Sequence, residues 1–186
     1  MCNMNKIKLL FTLFAVAAFG ANFAISDARA QTPDAPKLIE NHRDWSVYHY
    51  GSGAAEICYV LSKPKRERPS GLNRGRVFFT VTHRADGTRN EVSLRAGYKF
   101  SPKSKPYARI GNEDFPFYTG AQEGDEERAH WAWMHTHSEE AALIEAMKKG
   151  DQMTIKGTSS RGTLTTDTYS LLGVTKALAA IDKKCR

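Results

Sequence analysis

The stretch VFFTVTHRADGTRNEVSLRAGY, residues 77–98, decides the fold class, because it contains two alternating segments joined by a turn. The alternating apolar positions are Val77, Phe79 and Val81 in the first segment and Val92, Leu94, Ala96 and Tyr98 in the second. A period of two residues is typical of a strand with one buried face. Asp86 and Gly87 lie between the segments and favour a tight turn. The stretch therefore predicts an antiparallel hairpin.

Further segments with strand character flank this hairpin on both sides. They are residues 44–50, 55–62, a short strand ending at Ile110, 115–119, 129–135, 151–159 and 162–171. Two helices are also predicted, one that Ser138 can cap and Gly150 can end, and a second at about 174–183. We therefore predict a mainly β domain, a sandwich of about eight strands with two short helices covering one end or edge.

The first thirty residues have the three parts of a secretory signal peptide. Lys6 and Lys8 precede an apolar run of 17 residues, Leu9 to Ile25, and Ala28-Arg29-Ala30 follows as a cleavage signal. The alternative is an uncleaved membrane anchor. The run is interrupted by a glycine and an asparagine, however, and is shorter than the ~20 residues that a membrane span needs. We expect residues 1–30 to be removed on export.

Cleavage would leave a single domain, residues 44–186, behind a flexible leader, residues 31–43, which is rich in proline and polar residues. The mature chain has 24 basic and 19 acidic residues and no second apolar segment long enough to span a bilayer. Its net charge of +5 is compatible with weak attraction to anionic lipid or polysaccharide.

The mature chain keeps two cysteines, Cys58 and Cys185, which are separated by 127 residues. An isolated pair in an exported protein most often forms a disulfide. Closing a loop of this length is worth on the order of 4–5 kcal/mol in the chain-entropy model. The alternative is two free thiols, one of them a nucleophile, but no histidine adjoins either cysteine and no Cys-x-x-Cys motif is present. We therefore expect the disulfide.

The segment HWAWMHTHSEE, residues 130–140, raises the question of a metal site. On a strand, His135 and His137 would point to the same face, and zinc sites use such pairs with a third ligand such as His130 or His83. His130 and His135 would face opposite sides, however, and no H-E-x-x-H motif is present. We therefore expect no metal and no cofactor, and keep a metal-dependent periplasmic enzyme using His135 and His137 as the alternative hypothesis.

The same segment contains bulky apolar residues, and we expect Trp131, Trp133 or Met134 to fill the core. Other motifs of catalysis are missing from the sequence, which has no G-x-S-x-G and no P-loop. These observations argue against an enzyme.

Two groups of basic residues form the candidate binding site. They are Lys63, Lys65, Arg66 and Arg68 in the first group, and Lys99, Lys103, Lys105 and Arg109 in the second. If the two loops meet in space, they would make a cationic surface for an anionic glycan or lipid headgroup. The alternative is that charged loops only keep an exported domain soluble. Export argues against a nucleic-acid partner.

The segment EEAALIEAMKKGDQMTIKGTSSRGTLTTDTYSLLGVTKAL, residues 139–178, is the most specific part of the chain, with DWSVY, residues 44–48, upstream. Together with the signal peptide, it resembles the invasion-associated locus B family of exported alphaproteobacterial proteins. The resemblance extends from Asp44 to Cys185. It implies an immunoglobulin-like sandwich in a periplasmic or surface-associated protein, named for a role in host-cell invasion in pathogenic members, and it brings no catalytic residues.

We therefore predict a non-catalytic bacterial protein of the periplasm or the secreted fraction. Its function would be to bind or stabilise an envelope or host-surface component. The expected partner is an envelope protein, an anionic glycan or a lipid surface.

Overall fold

The predicted hairpin lies at the centre of the fold. In the computed structural model, which describes residues 35–185, Val77–Arg84 pairs antiparallel with Glu91–Ala96. The register sets Phe79 opposite Leu94, and both side chains are buried. The alternating apolar positions therefore face the core, as predicted. The predicted signal peptide, residues 1–30, lies outside the described residues.

Twelve strands, numbered in chain order, form two antiparallel sheets within residues 35–185. The large sheet has seven strands in the spatial order β1 (Lys37–His42), β2 (Trp45–Tyr50), β3 (Ile57–Ser62), β5 (Val77–Arg84), β6 (Glu91–Ala96), β10 (Trp131–Trp133) and β9 (Tyr118–Thr119). The small sheet has five strands in the order β4 (Arg66–Arg68), β12 (Leu164–Ser170), β11 (Gln152–Thr158), β7 (Tyr107–Ile110) and β8 (Glu113–Pro116). Both sheets contribute one face to a shared core.

Aromatic side chains join the inner faces of the two sheets. The ring of Phe79 in β5 lies 6.1 Å from that of Trp45 in β2 and 6.2 Å from that of Tyr169 in β12, both edge to face. The Trp45 indole also donates a hydrogen bond of 3.1 Å to the carbonyl oxygen of Ser170. The predicted mainly β sandwich is therefore confirmed. It has more strands than the eight or so predicted, because the largely exposed strands β1 and β4 show no alternation of buried positions, and the segment predicted as one strand, 115–119, falls in two strands, β8 and β9.

Strand β1 corrects the predicted flexible leader over residues 37–42. This segment pairs with β2 at the edge of the large sheet, and most of its side chains are exposed. Its order comes from backbone hydrogen bonds to β2 and not from burial of apolar side chains. A sequence pattern that depends on burial gives no sign of such a strand.

The two α-helices are α1 (His137–Lys149) and α2 (Val174–Lys184), and a short 3₁₀ helix covers Gly53–Ala55. Thr136, and not Ser138, caps α1: its hydroxyl accepts from the backbone N–H of Glu139, whose carboxylate accepts in return from the Thr136 N–H. This capping box satisfies two donors that the helix start leaves open. The predicted helix end at Gly150 is confirmed.

The disulfide between Cys58 and Cys185 is present in the structure, with Cα atoms 5.9 Å apart. It joins β3 to the residue that follows α2, so that α2 is held against the inner face of the large sheet. Gly173 begins this helix at a φ of 96°, where an added Cβ would lie 2.0 Å from the His42 carbonyl oxygen. Within residues 35–185, no helix has the length and apolar character needed to cross a bilayer.

Candidate functional site

Three of the eight predicted anion-binding residues are engaged in ion pairs. Lys65 pairs with Asp44, and the hydrogen bond from Lys65, with a second from Ser170, lowers the pKa of the Asp44 carboxyl. The other two pairs are Lys99 with Glu126 and Arg109 with Asp114. In both, the hydrogen bond from the basic side chain lowers the pKa of the carboxyl group. These cations are partly neutralised within the chain.

The remaining predicted residues lie in three separate places. Arg66 and Arg68 are on β4, at one edge of the small sheet, and Lys103 and Lys105 are in the loop before β7. Lys63 lies beside the large sheet. That the two basic loops form a single cationic surface stays a prediction.

Part of the basic set does share one face of the small sheet. Arg68 lies opposite Thr166, which lies opposite Lys156, so these three side chains point to the same side. Arg66 belongs to the same face, two residues earlier on β4. We call the outer face of the small sheet that carries Arg66, Arg68 and Lys156 the cationic face. Lys156 was missed from the sequence, although its position between buried Ile155 and Gly157 marks it as outward-facing.

The histidines are dispersed and do not form a metal site. Strand β10 ends at Trp133, so His135 lies in a loop and His137 begins α1. The His135 ring stacks on Tyr118 at 4.7 Å, and His137 Nδ1 is 2.8 Å from a carboxylate oxygen of buried Glu140. No group of three or more His, Cys, Asp or Glu side chains within residues 35–185 could hold a metal ion. The alternative of a metal-dependent enzyme is therefore not favoured.

His83 has a different environment from these exposed histidines, because it is buried in the core. Its Nδ1 accepts a hydrogen bond of 3.2 Å from the Asn90 N–H, which leaves Nε2 as the atom that donates to Asp182 at 2.8 Å. His83 therefore connects β5 to helix α2, near the disulfide.

The most developed concave surface is a groove of about 910 Å³ on the outer face of the large sheet. Its floor is formed by Thr80 of β5 and Ser93 of β6, which lie opposite each other, and by Thr82. These three side chains are only 6–7% exposed although they point away from the core. Thr80, Thr82 and Ser93 are smaller than the aromatic residues on either side of them, and this difference in side-chain size makes the groove.

One wall of the groove consists of tyrosines on β2 and β3. Tyr48 and Tyr59 lie opposite each other in register, and their rings stack at 5.1 Å with an angle of 13° between the planes. Partial burial, together with the neighbouring Tyr48 hydroxyl, raises the pKa of Tyr59. The Tyr59 phenol therefore remains a neutral hydrogen-bonding group at physiological pH.

The opposite wall is a row of aromatic rings that begins on β10. Trp131 and Trp133 stack at 6.2 Å, Phe78 meets Trp131 edge to face at 5.5 Å, and Tyr118 follows Trp133 at 5.9 Å. Arg95 and Arg128 lie over the indole rings of Trp131 and Trp133, at 5.6 and 5.8 Å. Of the three residues expected as candidates for the core, Met134 is buried, whereas Trp131 and Trp133 stand on the outer face.

Charged residues border the groove. At one end Arg84 pairs with Glu91 at 2.7 Å. Lys63 and Arg76 also line the groove, and neither has an acidic partner within 4.0 Å in the described part of the chain. Glu67, the second carboxylate of the lining, is 3.3 Å from Arg74. Lys63 is therefore the one predicted basic residue that borders this groove.

The lining supports binding better than it supports catalysis. It contains aromatic rings, hydroxyls and charged groups but neither histidine nor cysteine, and each of its carboxylates contacts an arginine. A general acid or base would have to be one of these two carboxylates, and both are engaged with arginines.

Comparison with known proteins gives one match. A family model described as Invasion associated locus B (IalB) protein matches residues 45–182. No curated protein and no solved structure matches the chain. The matched residues include every element from β2 to most of α2, and therefore the whole groove.

Proposed function

The chain belongs to the invasion associated locus B family, and from this premise we propose that it is an exported envelope protein that binds a component of the envelope or of a host surface. Family membership supports a non-catalytic role. The disulfide supports an oxidising location, because such bonds persist in the periplasm and outside the cell.

We place the binding site in the groove of the large sheet. The observation that carries this proposal is the buried floor: Thr80, Thr82 and Ser93 are shielded from solvent although they point outward from the sheet. A preformed concavity with apolar walls and a few polar groups is the usual form of a ligand site. The groove volume, about 910 Å³, is also within the common range for such sites.

The cationic face has a secondary role in this proposal. Arg66, Arg68 and Lys156 have no acidic partner within 4.0 Å among residues 35–185. Their field attracts anionic surfaces over roughly one Debye length, about 8–10 Å at physiological salt. Neutralising these residues should therefore slow association in low salt and have little effect on the dissociation rate.

The test is co-sedimentation of the purified protein with washed native envelopes. Thr80→Arg introduces a long charged side chain at the floor of the groove, and Thr154→Arg makes the same change on the outer face of the small sheet. We expect Thr80→Arg to reduce retention at least about tenfold, the equivalent of 1.4 kcal/mol, and Thr154→Arg to retain nearly wild-type binding. Trp133→Ala provides a second groove variant if Thr80→Arg does not fold. Equal retention of wild-type and folded groove variants would refute the groove as the binding site.

A further inference from the structure

We propose that the groove binds an acidic glycan chain, with sugar rings against the aromatic walls and sugar carboxylates or sulfates on Lys63 and Arg76. This inference rests on the proposed function, since it names the ligand class for the same groove. It follows from three features of the groove: its aromatic walls, its floor of hydroxyl groups, and the charged residues that border it, which we call the rim.

The walls and floor present two different chemistries to one ligand. Tyr59 on one side and Trp133 on the other offer aromatic surface, whereas Thr80 and Ser93 between them offer hydroxyls. A pyranose ring has the matching arrangement, because its C–H groups form apolar faces and its hydroxyls project from the ring edge. The faces can pack on aromatic rings while the hydroxyls exchange hydrogen bonds with the floor.

A lipid acyl chain and a peptide strand match the groove less well. The Thr80 and Ser93 hydroxyls hydrogen-bond each other at 2.7 Å, and an acyl chain would give them no further partner. It would also give no ionic partner to Lys63 and Arg76 at the rim. A peptide that binds by adding a strand needs an unpaired strand edge. The central strands β5 and β6 have none, since β5 pairs with β3 and β6, and β6 pairs with β5 and β10.

The charge at the rim favours an acidic ligand. Arg84 and Arg128 have acidic partners, Glu91 and Asp125, at 2.7 and 2.6 Å, so their charges are largely matched within the chain. Lys63 and Arg76 have no such partner in residues 35–185, so they give the groove an uncompensated positive charge. A guanidinium group also matches a carboxylate or sulfate geometrically, because it can donate two parallel hydrogen bonds.

The width of the groove favours a chain over a single sugar. Tyr59 is on β3 and Trp133 on β10, which are separated by β5 and β6. Three strand spacings amount to about 14 Å. Several linked sugar units are therefore needed to contact both walls at once.

The experiment uses hexasaccharide probes and measures tryptophan fluorescence and calorimetric heat with the purified protein. The acidic probes are oligogalacturonate, hyaluronan and chondroitin sulfate hexamers, and the matched neutral probe is methyl-esterified oligogalacturonate. The ester keeps the rings and hydroxyls and removes the charge. We expect at least one acidic probe to bind. If oligogalacturonate is that probe, it should bind at least tenfold more tightly than its methyl ester. The fluorescence change should arise at Trp131 and Trp133, and no binding by any acidic probe would overturn the inference.

Two sets of variants separate the ring contacts from the charge contacts. Trp133→Ala should weaken binding of the acidic probe about tenfold, since one aromatic contact is lost. Lys63→Gln/Arg76→Gln should also weaken it and should reduce its dependence on salt, because fewer screened contacts remain. Lys176→Gln/Lys183→Gln, at exposed positions of α2 and outside the groove lining, changes the net charge by the same amount and should leave probe affinity within about twofold. A loss in this control equal to that of the rim variant would show a general charge effect and overturn the inference.

The glycan inference and the proposed function fail in different ways. If Thr80→Arg abolishes envelope retention but no acidic probe binds, the groove is a binding site and its ligand is of another class. If retention that depends on Thr80 survives enzymatic removal of envelope polysaccharide, the partner is a protein or a lipid. If retention is insensitive to the groove variants, the proposed site itself is wrong.

Discussion

The two outer faces of the sandwich are built by the same alternation of side chains, but they differ in shape and chemistry. The large sheet presents a groove between aromatic walls, whereas the small sheet presents Thr154, Thr166 and Thr168 beside the arginines of β4. Threonines occur on both faces. On the large sheet they are buried at the floor, and on the small sheet they are partly exposed.

The difference comes from where the large residues stand. On the large sheet, aromatic residues of β3 and β10 stand on either side of the small outward residues Thr80, Thr82 and Ser93 of the central strands. On the small sheet, threonines and Lys156 share the outer positions of β11 and β12. The groove therefore depends on where large and small side chains lie across the strands of one sheet. Each outer face can be altered by substitution without changing the other.

The largest expected effect concerns the disulfide, which lies behind the sheet that carries the groove. Cys58 is on β3, directly behind the tyrosine wall, and Cys185 holds α2 against the same sheet. Cys58→Ala/Cys185→Ala should lower the free energy of unfolding by about 4–5 kcal/mol, because the unfolded chain regains the freedom of a long loop. Urea unfolding measures the loss.

The control for the disulfide is treatment of the double variant with reductant, which should produce no further loss of stability. Hydrogen exchange should show that amides of β2 and β3 lose more protection than those of β11 and β12 under mild reduction. Equal loss in both sheets would contradict the asymmetry between the two faces.

The next effect concerns the buried ion pair that joins the two sheets. Arg74 donates two hydrogen bonds of 2.7 Å to Asp167 on β12, and it also donates to the Ala96 carbonyl oxygen at the end of β6. Asp167→Ala would leave a guanidinium group without its carboxylate at a site where the side chain is 5% exposed. The expected cost is about 3–5 kcal/mol in urea unfolding.

Glu67→Ala is the matched control for Asp167→Ala. Glu67 contacts the same guanidinium at 3.3 Å, but its side chain is 41% exposed, so its loss should cost less than about 1 kcal/mol. Similar costs for the two variants would mean that burial does not decide the strength of this pair. The connection between the sheets would then need another explanation.

A smaller effect distinguishes the two outer faces directly. Trp133→Ala removes ring contacts with Trp131 and Tyr118 and should cost about 1–3 kcal/mol of stability. Thr154→Ala, on the outer face of the small sheet, should change stability by no more than about 0.5 kcal/mol. Thermal unfolding of both variants provides the comparison, and a loss at Thr154 as large as that at Trp133 would show that the two faces are equally well packed.

The sequence predicted which residues of the central hairpin face outward, but it did not predict that a groove forms there. The alternation in residues 77–83 correctly separates inward Phe79 and Val81 from outward Thr80 and Thr82. The opposite wall depends on the pairing of β10 with β6 and with β9, and such distant registers leave no local pattern in the sequence. Strand β10 has only three residues, so its tryptophans could equally have faced the core.

The basic residues also show that contacts between distant parts of the chain cannot be predicted from a local sequence pattern. Their number and spacing identified charged loops, but whether each cation has a partner depends on which strand ends meet in space. Lys65 meets Asp44 because the end of β3, just before Lys65, lies beside the start of β2. Its neighbour Arg66 projects from β4 without an acidic partner in the described residues. Adjacent basic residues therefore have different roles that a charge count cannot separate.

The smallest predicted effect tests this last distinction. The pKa of Asp44 is lowered in the folded protein from its ordinary value of 3.8, first by the hydrogen bond from Lys65. A carboxyl group with a lowered pKa in the folded state stabilises the fold above its unfolded pKa, and the stabilisation is lost as the pH falls through the folded value. Lys65→Gln should therefore reduce stability by less than about 1 kcal/mol at pH 7, and this difference from wild type should disappear well below pH 3.8. Arg66→Gln should leave stability unchanged at both pH values, because Arg66 forms no ion pair with a carboxylate of the described residues. An equal pH-dependent loss in Arg66→Gln would show that the two cations act only through net charge.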